Sequence, residues 1–342
     1  MFAIQLTKPG LFEAVEVPHP GKPGEGEVLV RVRHVGLCGT DIHAFHGRQP
    51  FFEYPRILGH ELGVEVEEVG PGVDSLRPGT RCAVEPYLST PGDRAFARGR
   101  TNCAASTRCL GVHCDGGMTE RLLLPARLLH PAEAGTESLA LVETLCIGHH
   151  AVGRADPFGD ETAVVVGAGP IGLAAARFAV LRGLRVTMVD VSATRLERAR
   201  RLVPDLSTFA RTAGETSAED LFASLGEPPE IVWDCTGNAA SMEYSIELAA
   251  HGGKVVMVGI VRERISFDDP LFHGRELSLL ASRNAVGRDF ASVLSAIESG
   301  KVDTAEWITH RTPARDFPDV VENWLTPDSG LLKGILQFNG DE

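Results

Sequence analysis

The sequence predicts an α/β chain in which a doubly wound parallel sheet is joined to a β-rich domain. Three observations lead there. From about Ser138 onward, short apolar strands alternate with helical segments, the rhythm of a parallel sheet with crossover helices. Before that point, Val-rich alternating runs separated by Pro-Gly turns read as antiparallel strands. Between a strand and a helix lies a glycine-rich turn, Gly167-Ala168-Gly169-Pro170-Ile171-Gly172.

The β-rich part carries the strand patterns Glu27 to Val35, Gly63 to Val69 and Arg81 to Val84, with shorter ones at Leu122 to Leu124 and Leu128 to His130. A helix is expected over Ala140 to His150. Strands follow at Ala163 to Val166, Arg185 to Asp190, Ile231 to Asp234, Lys254 to Gly259 and Glu276 to Ala281. Helices lie between them: Ile171 to Arg182 with Gly183 at its C-terminal end, a helix capped by Ser192, and Ala240 to Ala250. Helices at Asp289 to Gly300 and Asp316 to Leu325 precede a last strand, Gly334 to Phe338, expected to pack back on the first domain. The expected division is residues 1–146 with 284–342 for the β-rich domain and 147–283 for the sheet with crossover helices.

Composition narrows the function. The 342 residues are 43% hydrophobic, enough for two buried cores without covalent staples. A net charge of -13 disfavours nucleic acid and anionic membrane surfaces, both of which need clustered Lys and Arg. No apolar run is long enough to span a bilayer, and Met1 to Pro9 lacks the pattern of a secretion signal, so a cytoplasmic protein is expected. Seven cysteines in such a chain point to thiol or metal chemistry for any special one rather than to a disulfide scaffold.

The glycine-rich turn has the setting a dinucleotide requires. Gly167 permits the tight turn, Gly169 lets backbone approach a pyrophosphate, and Gly172 lets helix and strand pack closely. Pro170 and Ile171 open a helix whose free N–H groups and positive dipole end face the phosphates. Asp190 ends the next strand 23 residues after Gly167, where a carboxylate accepts hydrogen bonds from the adenosine ribose. It would repel a 2′-phosphate, so NAD is expected over NADP. Arg195 is the counter-signal, since a nearby guanidinium can serve that phosphate.

A second constellation lies in the first half. Cys38 and His60 offer a thiolate and an imidazole, which suit zinc, and Glu61 adds an oxygen beside them. Glu143 could supply another. A position shared by Glu61, Glu143, water and substrate would be the open site that catalysis needs.

With these residues in place, the chain resembles the zinc-containing medium-chain dehydrogenase/reductases of the alcohol dehydrogenase type over essentially its whole length. Cys38-Gly39-Thr40-Asp41-Ile42-His43 is similar to the threonine and sorbitol enzymes. Tyr54 to Leu62, Gly111-Val112-His113 with Asp115-Gly116-Gly117, and Ser282-Arg283-Asn284-Ala285 look most like the galactonate or gulonate 5-dehydrogenases. The resemblance implies a GroES-like catalytic domain and a Rossmann domain, one catalytic zinc per subunit, and a homodimer or homotetramer. It also implies cofactor contacts from Thr236, Val258 and Ile260, and a substrate contact from Arg283. That guanidinium could clamp a carboxylate bidentately or hydrogen-bond a polyol. Phe51 and Phe52 either line the cleft or belong to the core.

Two departures matter. Relatives often hold a second zinc with four cysteines in a lobe, and the corresponding places here are Thr90, Asp93, Phe96 and Ala104. No structural zinc is expected, the rival being a displaced site made by Cys103, Cys109 and Cys114. Val64 stands where many members have Gly, with Gly63 one place earlier.

The implied reaction is oxidation of a secondary alcohol on a polyol or sugar acid by NAD. Zinc stabilises the alkoxide by the effect that moves the pKa of bound water from about 15.7 to about 7. Thr40 takes the proton and passes it through a cofactor ribose hydroxyl to His43, which titrates near neutrality. The plainer reading of Thr40 and His43 is a turn hydroxyl and a surface imidazole. Alternatives for the whole chain are a sorbitol- or threonine-type dehydrogenase, a zinc-free quinone or enone reductase using NADPH, and a non-catalytic binding protein on the same fold.

Overall fold

The computed structural model describes residues 1–49, 52–212, 214 and 216–338. The chain divides into two compact units, Met1–Thr144 with Ala285–Glu342, and Leu145–Asn284.

The first unit is built on a mostly antiparallel seven-stranded sheet. Its order is Leu129–Pro131, Arg81–Val84, Glu61–Val69, Glu27–Leu37, Lys333–Gln337 and Ile308–Pro313, with Arg121–Pro125 pairing beside Glu27–Leu37. The long central strand Glu27–Leu37 alternates Val with Arg because one face enters a core of Val28, Val30, Val32, Val35, Leu62, Val64 and Leu336. The last strand does return to this domain: Gly334 pairs with Leu37 and Gln337 with His34, antiparallel. A hairpin, Phe2–Lys8 with Leu11–Glu16, adds a three-stranded sheet through Arg56–Ile57. Sequence reading overlooked this hairpin, as it did the helix Gly39–Phe45 and the strand Ile308–Pro313.

Gly63 answers the question raised by Val64. A Cβ on Gly63 would lie 1.8 Å from the Thr136 carbonyl oxygen, so the strand needs a glycine there to let residues 136–140 pass. Val64 points the other way and is fully buried.

The second unit is the expected doubly wound sheet. Six parallel strands run in the order Ser207–Ala210, Arg185–Asp190, Thr162–Val166, Ile231–Asp234, Lys254–Met257 and Ser278–Ala281. Numbered along the chain this is 3-2-1-4-5-6, which reverses direction beside Thr162–Val166 and opens a ligand crevice at the strands' carboxyl ends. That central strand is buried at every position, which is why it reads as an unbroken apolar run. Ser192 Oγ accepts from the Arg195 N–H and caps the helix Ala193–Leu202, as expected. The strand expected over Glu276 to Ala281 begins only at Ser278, because Glu276 takes a positive φ of 52°. Ser207–Ala210 was not expected, since it is short and only half buried.

Candidate active site

The candidate metal site brings together two stretches of the first unit, one at Cys38 and one at His60-Glu61. Cys38 ends the central strand's run and precedes the helix Gly39–Phe45, where its N–H donates to Asp41 Oδ2 at 3.0 Å. His60 follows Gly59, whose φ of 95° and close approach to Met118 N require glycine. Glu61 opens its strand opposite Gly36. Among the described residues, Cys38, His60 and Glu61 form the one group of three or more His, Cys, Asp or Glu side chains able to share an ion, each ligand atom within 4.8 Å of the others.

Glu61 is held by a partner that sequence reading missed. Lys333 Nζ lies 2.7 Å from both Glu61 oxygens and also donates to Thr144 Oγ1 at 3.1 Å and to the Leu37 carbonyl at 3.2 Å. Thr144 Oγ1 donates to Glu61 Oε1 at 2.6 Å. Burial alone would raise the Glu61 pKa, but Lys333 and His60 overcome it and the net shift is downward. Burial likewise opposes the charge on Lys333, and Glu61 outweighs it and raises the Lys333 pKa. Gly36 makes room for the carboxylate: a Cβ there would fall 2.2 Å from Glu61 Oε2.

Glu143 lies outside the three-residue group. It lies in the first turn of the helix Val142–Ala155, is buried, and accepts a hydrogen bond from the Tyr87 hydroxyl. Asp41 is a further residue the sequence reading passed over. Its buried Oδ1 faces His60 Nδ1 at 3.7 Å, too long for a hydrogen bond, and among the described residues neither atom has another hydrogen-bond partner. Burial pushes the Asp41 carboxyl up despite His60. For His60, burial acts downward, but the Cys38 and Asp41 charges carry the pKa well above its ordinary value. A half-buried thiol beside a buried imidazole and a buried carboxylate, all within ligand distance of one point, is a donor set that suits a divalent zinc ion, which would bind the sulfur as thiolate and offset the negative charge gathered there.

Thr40 and His43 both lie on the helix after Cys38, Thr40 partly buried and His43 exposed. Partial burial, with the positive charges of Arg48 and His46, lowers the His43 pKa. Phe52 packs on the first unit's core, its ring 4.7 Å from that of Tyr54, which favours the core reading of that residue. Phe51 lies outside the described residues.

In the lobe, two of the places where relatives carry cysteine make hydrogen bonds instead. Asp93 accepts from Phe96 N at 2.8 Å and Ala105 N at 2.7 Å, and Thr90 exchanges bonds with Ser106 Oγ at 3.0 and 3.2 Å. Cys103 is exposed on a short 3-10 turn. Cys109 pairs with Tyr87 in a two-stranded sheet, and Cys114 Sγ lies 3.8 Å from the Cys109 carbonyl.

The second unit holds the glycine-rich turn at the carboxyl end of its sheet. Gly167 has a φ of 102°, and a Cβ on Gly172 would fall 1.8 Å from the Gly167 carbonyl oxygen. A Cβ on Gly169 would meet nothing within 4 Å, so the space above it is open. Pro170 starts the helix and Ile171 follows in its first turn. Asp190 is buried and braces the turn, accepting from Ala168 N at 2.7 Å and Ser192 N at 2.8 Å. A carboxylate has about four lone-pair directions, so capacity for ribose hydroxyls remains. Arg195 is exposed. Thr236 donates its N–H and hydroxyl to Asp234 Oδ1 at 2.9 and 2.7 Å, and the other Asp234 oxygen accepts from Ser241 and Ser245. The Val258 N–H bonds the Asp234 carbonyl at 2.9 Å. Gly237 and Gly259 touch so closely that a Cβ on Gly259 would fall 2.3 Å from Gly237 N, which brings Thr236 and the 73% exposed Ile260 to neighbouring turns. Arg283 is exposed just beyond the last strand of this sheet.

The fold and these two sites describe a two-domain, dinucleotide-type oxidoreductase with a metal-competent catalytic domain. Residues 24–134 match the alcohol dehydrogenase GroES-like domain and residues 170–299 match the zinc-binding dehydrogenase domain. The chain is 40% identical to L-galactonate-5-dehydrogenase of Escherichia coli K12, covering 98% of this chain and 97% of that one. It is 33% identical to human sorbitol dehydrogenase, over 92% and 90% of the two chains. The solved structure of the alcohol dehydrogenase rspB from E. coli CFT073, in complex with the cofactor NADH, superposes with a TM-score of 0.90 at 28% identity, covering 99% of each chain. The chain belongs to the zinc-type alcohol dehydrogenases of the medium-chain dehydrogenase/reductase superfamily, in the branch that contains the polyol dehydrogenases. Among the described residues no helix is long and apolar enough to cross a membrane.

Proposed function

We propose that the protein oxidises a secondary alcohol of a sugar acid of the hexonate type, with NAD as hydride acceptor and one zinc ion held by Cys38, His60 and a carboxylate. The observation that carries the chemistry is the convergence of Cys38, His60 and Glu61 within 4.8 Å. The hexonate class is supported by the full-length 40% identity to L-galactonate-5-dehydrogenase and by Arg283, whose guanidinium suits a carboxylate.

Zinc, when bound, supplies Lewis acidity that makes a hydroxyl easier to deprotonate. Cys38 and His60 hold the ion. Lys333 neutralises Glu61 and so leaves the site less negative than its ligands alone would make it. Asp41 faces His60 Nδ1 at 3.7 Å, beyond hydrogen-bond reach, so it acts on the imidazole through its charge. Thr40 takes the released proton as its own hydroxyl proton moves on, and His43, whose lowered pKa favours the neutral ring that can accept it, yields a proton to water. Gly167, Gly169 and the helix from Pro170 cradle the pyrophosphate, and Asp190 takes the adenosine ribose. Oxygen pairing on Asp190 favours NAD over a cofactor carrying a 2′-phosphate.

The deciding experiment is turnover of NAD and of NADP against a panel of hexonates, hexitols, pentitols and threonine, on protein of known metal content. Preference for a hexonate with NAD is expected. A polyol or threonine preferred at equal zinc content would move the assignment to the sorbitol or threonine type. Full activity without metal would overturn the zinc reading. In the same vein, Cys38→Ser is expected to lose zinc and turnover while keeping NAD affinity within about threefold, since the dinucleotide residues are on other elements.

A further inference from the structure

Tyr87 is one of the largest fully buried side chains in the molecule, 2% exposed, yet it is a tyrosine rather than a phenylalanine. Burying a phenol is costly unless its hydroxyl finds a partner. The partner is Glu143 Oε1, a carboxylate that is itself 5% exposed. Among the described residues no lysine or arginine is recorded hydrogen-bonded to Glu143, whereas Lys333 holds its neighbour Glu61 through both oxygens.

The backbone that carries Tyr87 is fixed from three sides. Tyr87 pairs with Cys109 across the short sheet that roots the lobe. The Pro86 carbonyl accepts from Leu110 N at 3.1 Å, and the Ser89 carbonyl accepts from Arg127 at 2.6 Å. The short sheet that roots the lobe therefore meets Glu143, beside the metal-competent cluster, through the Tyr87 phenol. We propose that Tyr87 is a positioning residue that sets how Glu143 faces the metal-competent cluster: the phenol donates to Oε1 and so fixes the orientation in which the carboxylate offers its remaining lone pairs to the ion or to what the ion binds. This rests on the zinc reading above and adds a residue that no part of the metal motif contains.

The role is tested on the zinc-loaded protein with Tyr87→Phe, Glu143→Gln and the double variant. The readouts are the rate of zinc release to a chelator and the visible spectrum after cobalt substitution. Loss of an outer partner of a metal-facing group typically weakens metal binding about 10- to 100-fold. Tyr87→Phe is expected to speed zinc release about tenfold and to shift the cobalt bands. In the Glu143→Gln background the same change is expected to alter release by less than about twofold, because the carboxylate through which Tyr87 acts is gone. Unchanged release and spectrum in Tyr87→Phe overturns the proposal, as does an equal effect in both backgrounds. Should Tyr87→Phe not fold, Glu143→Asp, which draws the carboxylate one methylene away from a fixed phenol, must itself speed release, and retention of wild-type release overturns the proposal. Wild-type protein that binds no zinc would overturn the zinc reading as well, whereas firm zinc binding with a silent Tyr87→Phe would overturn this proposal alone.

Discussion

Lys333 Nζ sits 2.7 Å from each carboxylate oxygen of Glu61, and the lysine is 2% exposed and the glutamate fully buried. The two residues are 272 apart in sequence. They meet because the final strand pairs with Glu27–Leu37, which in turn pairs with the strand that Glu61 opens. Removing one partner of a buried pair leaves the other charge uncompensated, a cost of about 3–5 kcal/mol. Lys333→Met is therefore expected to lower the melting temperature of the metal-free protein by several degrees. Adding Glu61→Gln to it is expected to restore part of the loss, which a thermal-shift series on the three variants measures. Equal melting of Lys333→Met and wild type would show that the pair contributes nothing.

Gly36 is a second point at which the site depends on a residue without chemistry of its own. The Cβ of an alanine would lie 2.2 Å from Glu61 Oε2 and 2.9 Å from Glu61 Cβ, so the glutamate must move. Overpacking of this kind costs about 1–3 kcal/mol. Gly36→Ala is expected to destabilise by that amount in chemical denaturation and to lower zinc occupancy at a fixed chelator concentration.

The proton relay has a pH signature. His43 must be neutral to accept a proton, so kcat falls as pH drops through its pKa. Partial burial lowers that pKa, and the charges of Arg48 and His46 lower it further. The acid limb attributable to His43 is therefore expected below the ordinary histidine value of about 6.5. Arg48→Ala removes one of those positive charges, which raises the His43 pKa and moves the limb to higher pH. A His43→Gln variant should lose the limb altogether, and a pH–kcat profile of the three proteins checks both shifts.

Asp190 should decide the cofactor. Its carboxylate braces Ala168 and Ser192 through backbone N–H groups. Asp190→Asn keeps an acceptor for one of them and removes the negative charge. The ratio of kcat/KM for NAD over NADP is expected to fall at least tenfold, with Arg195 then available to a 2′-phosphate. If the ratio does not change, the carboxylate has no part in selecting the cofactor.

Much of this was readable from local pattern. Arg185–Asp190 and Ile231–Asp234 end at the residues expected, since a β-branched run closed by an acid is a local signal. Gly167, Gly172 and Asp190 could be placed because the turn, the close approach and the following strand lie within one short stretch of chain. Cys38, His60 and Glu61 could be singled out by donor type.

Lys333, Tyr87, Asp41 and Gly36 could not be placed in the same way. A lysine in a terminal strand and a tyrosine after Glu85-Pro86 carry no local mark of what they will touch. Their partners are set by strand pairing across long separations and by burial. The sequence by itself determined the donor atoms, the glycine-rich turn and the alternation of strands and helices in the second unit, because those depend on side-chain chemistry and on neighbours along the chain. Only the tertiary structure decided which charges are neutralised inside the first domain, because a buried carboxylate takes whatever donor the surrounding strands bring to it.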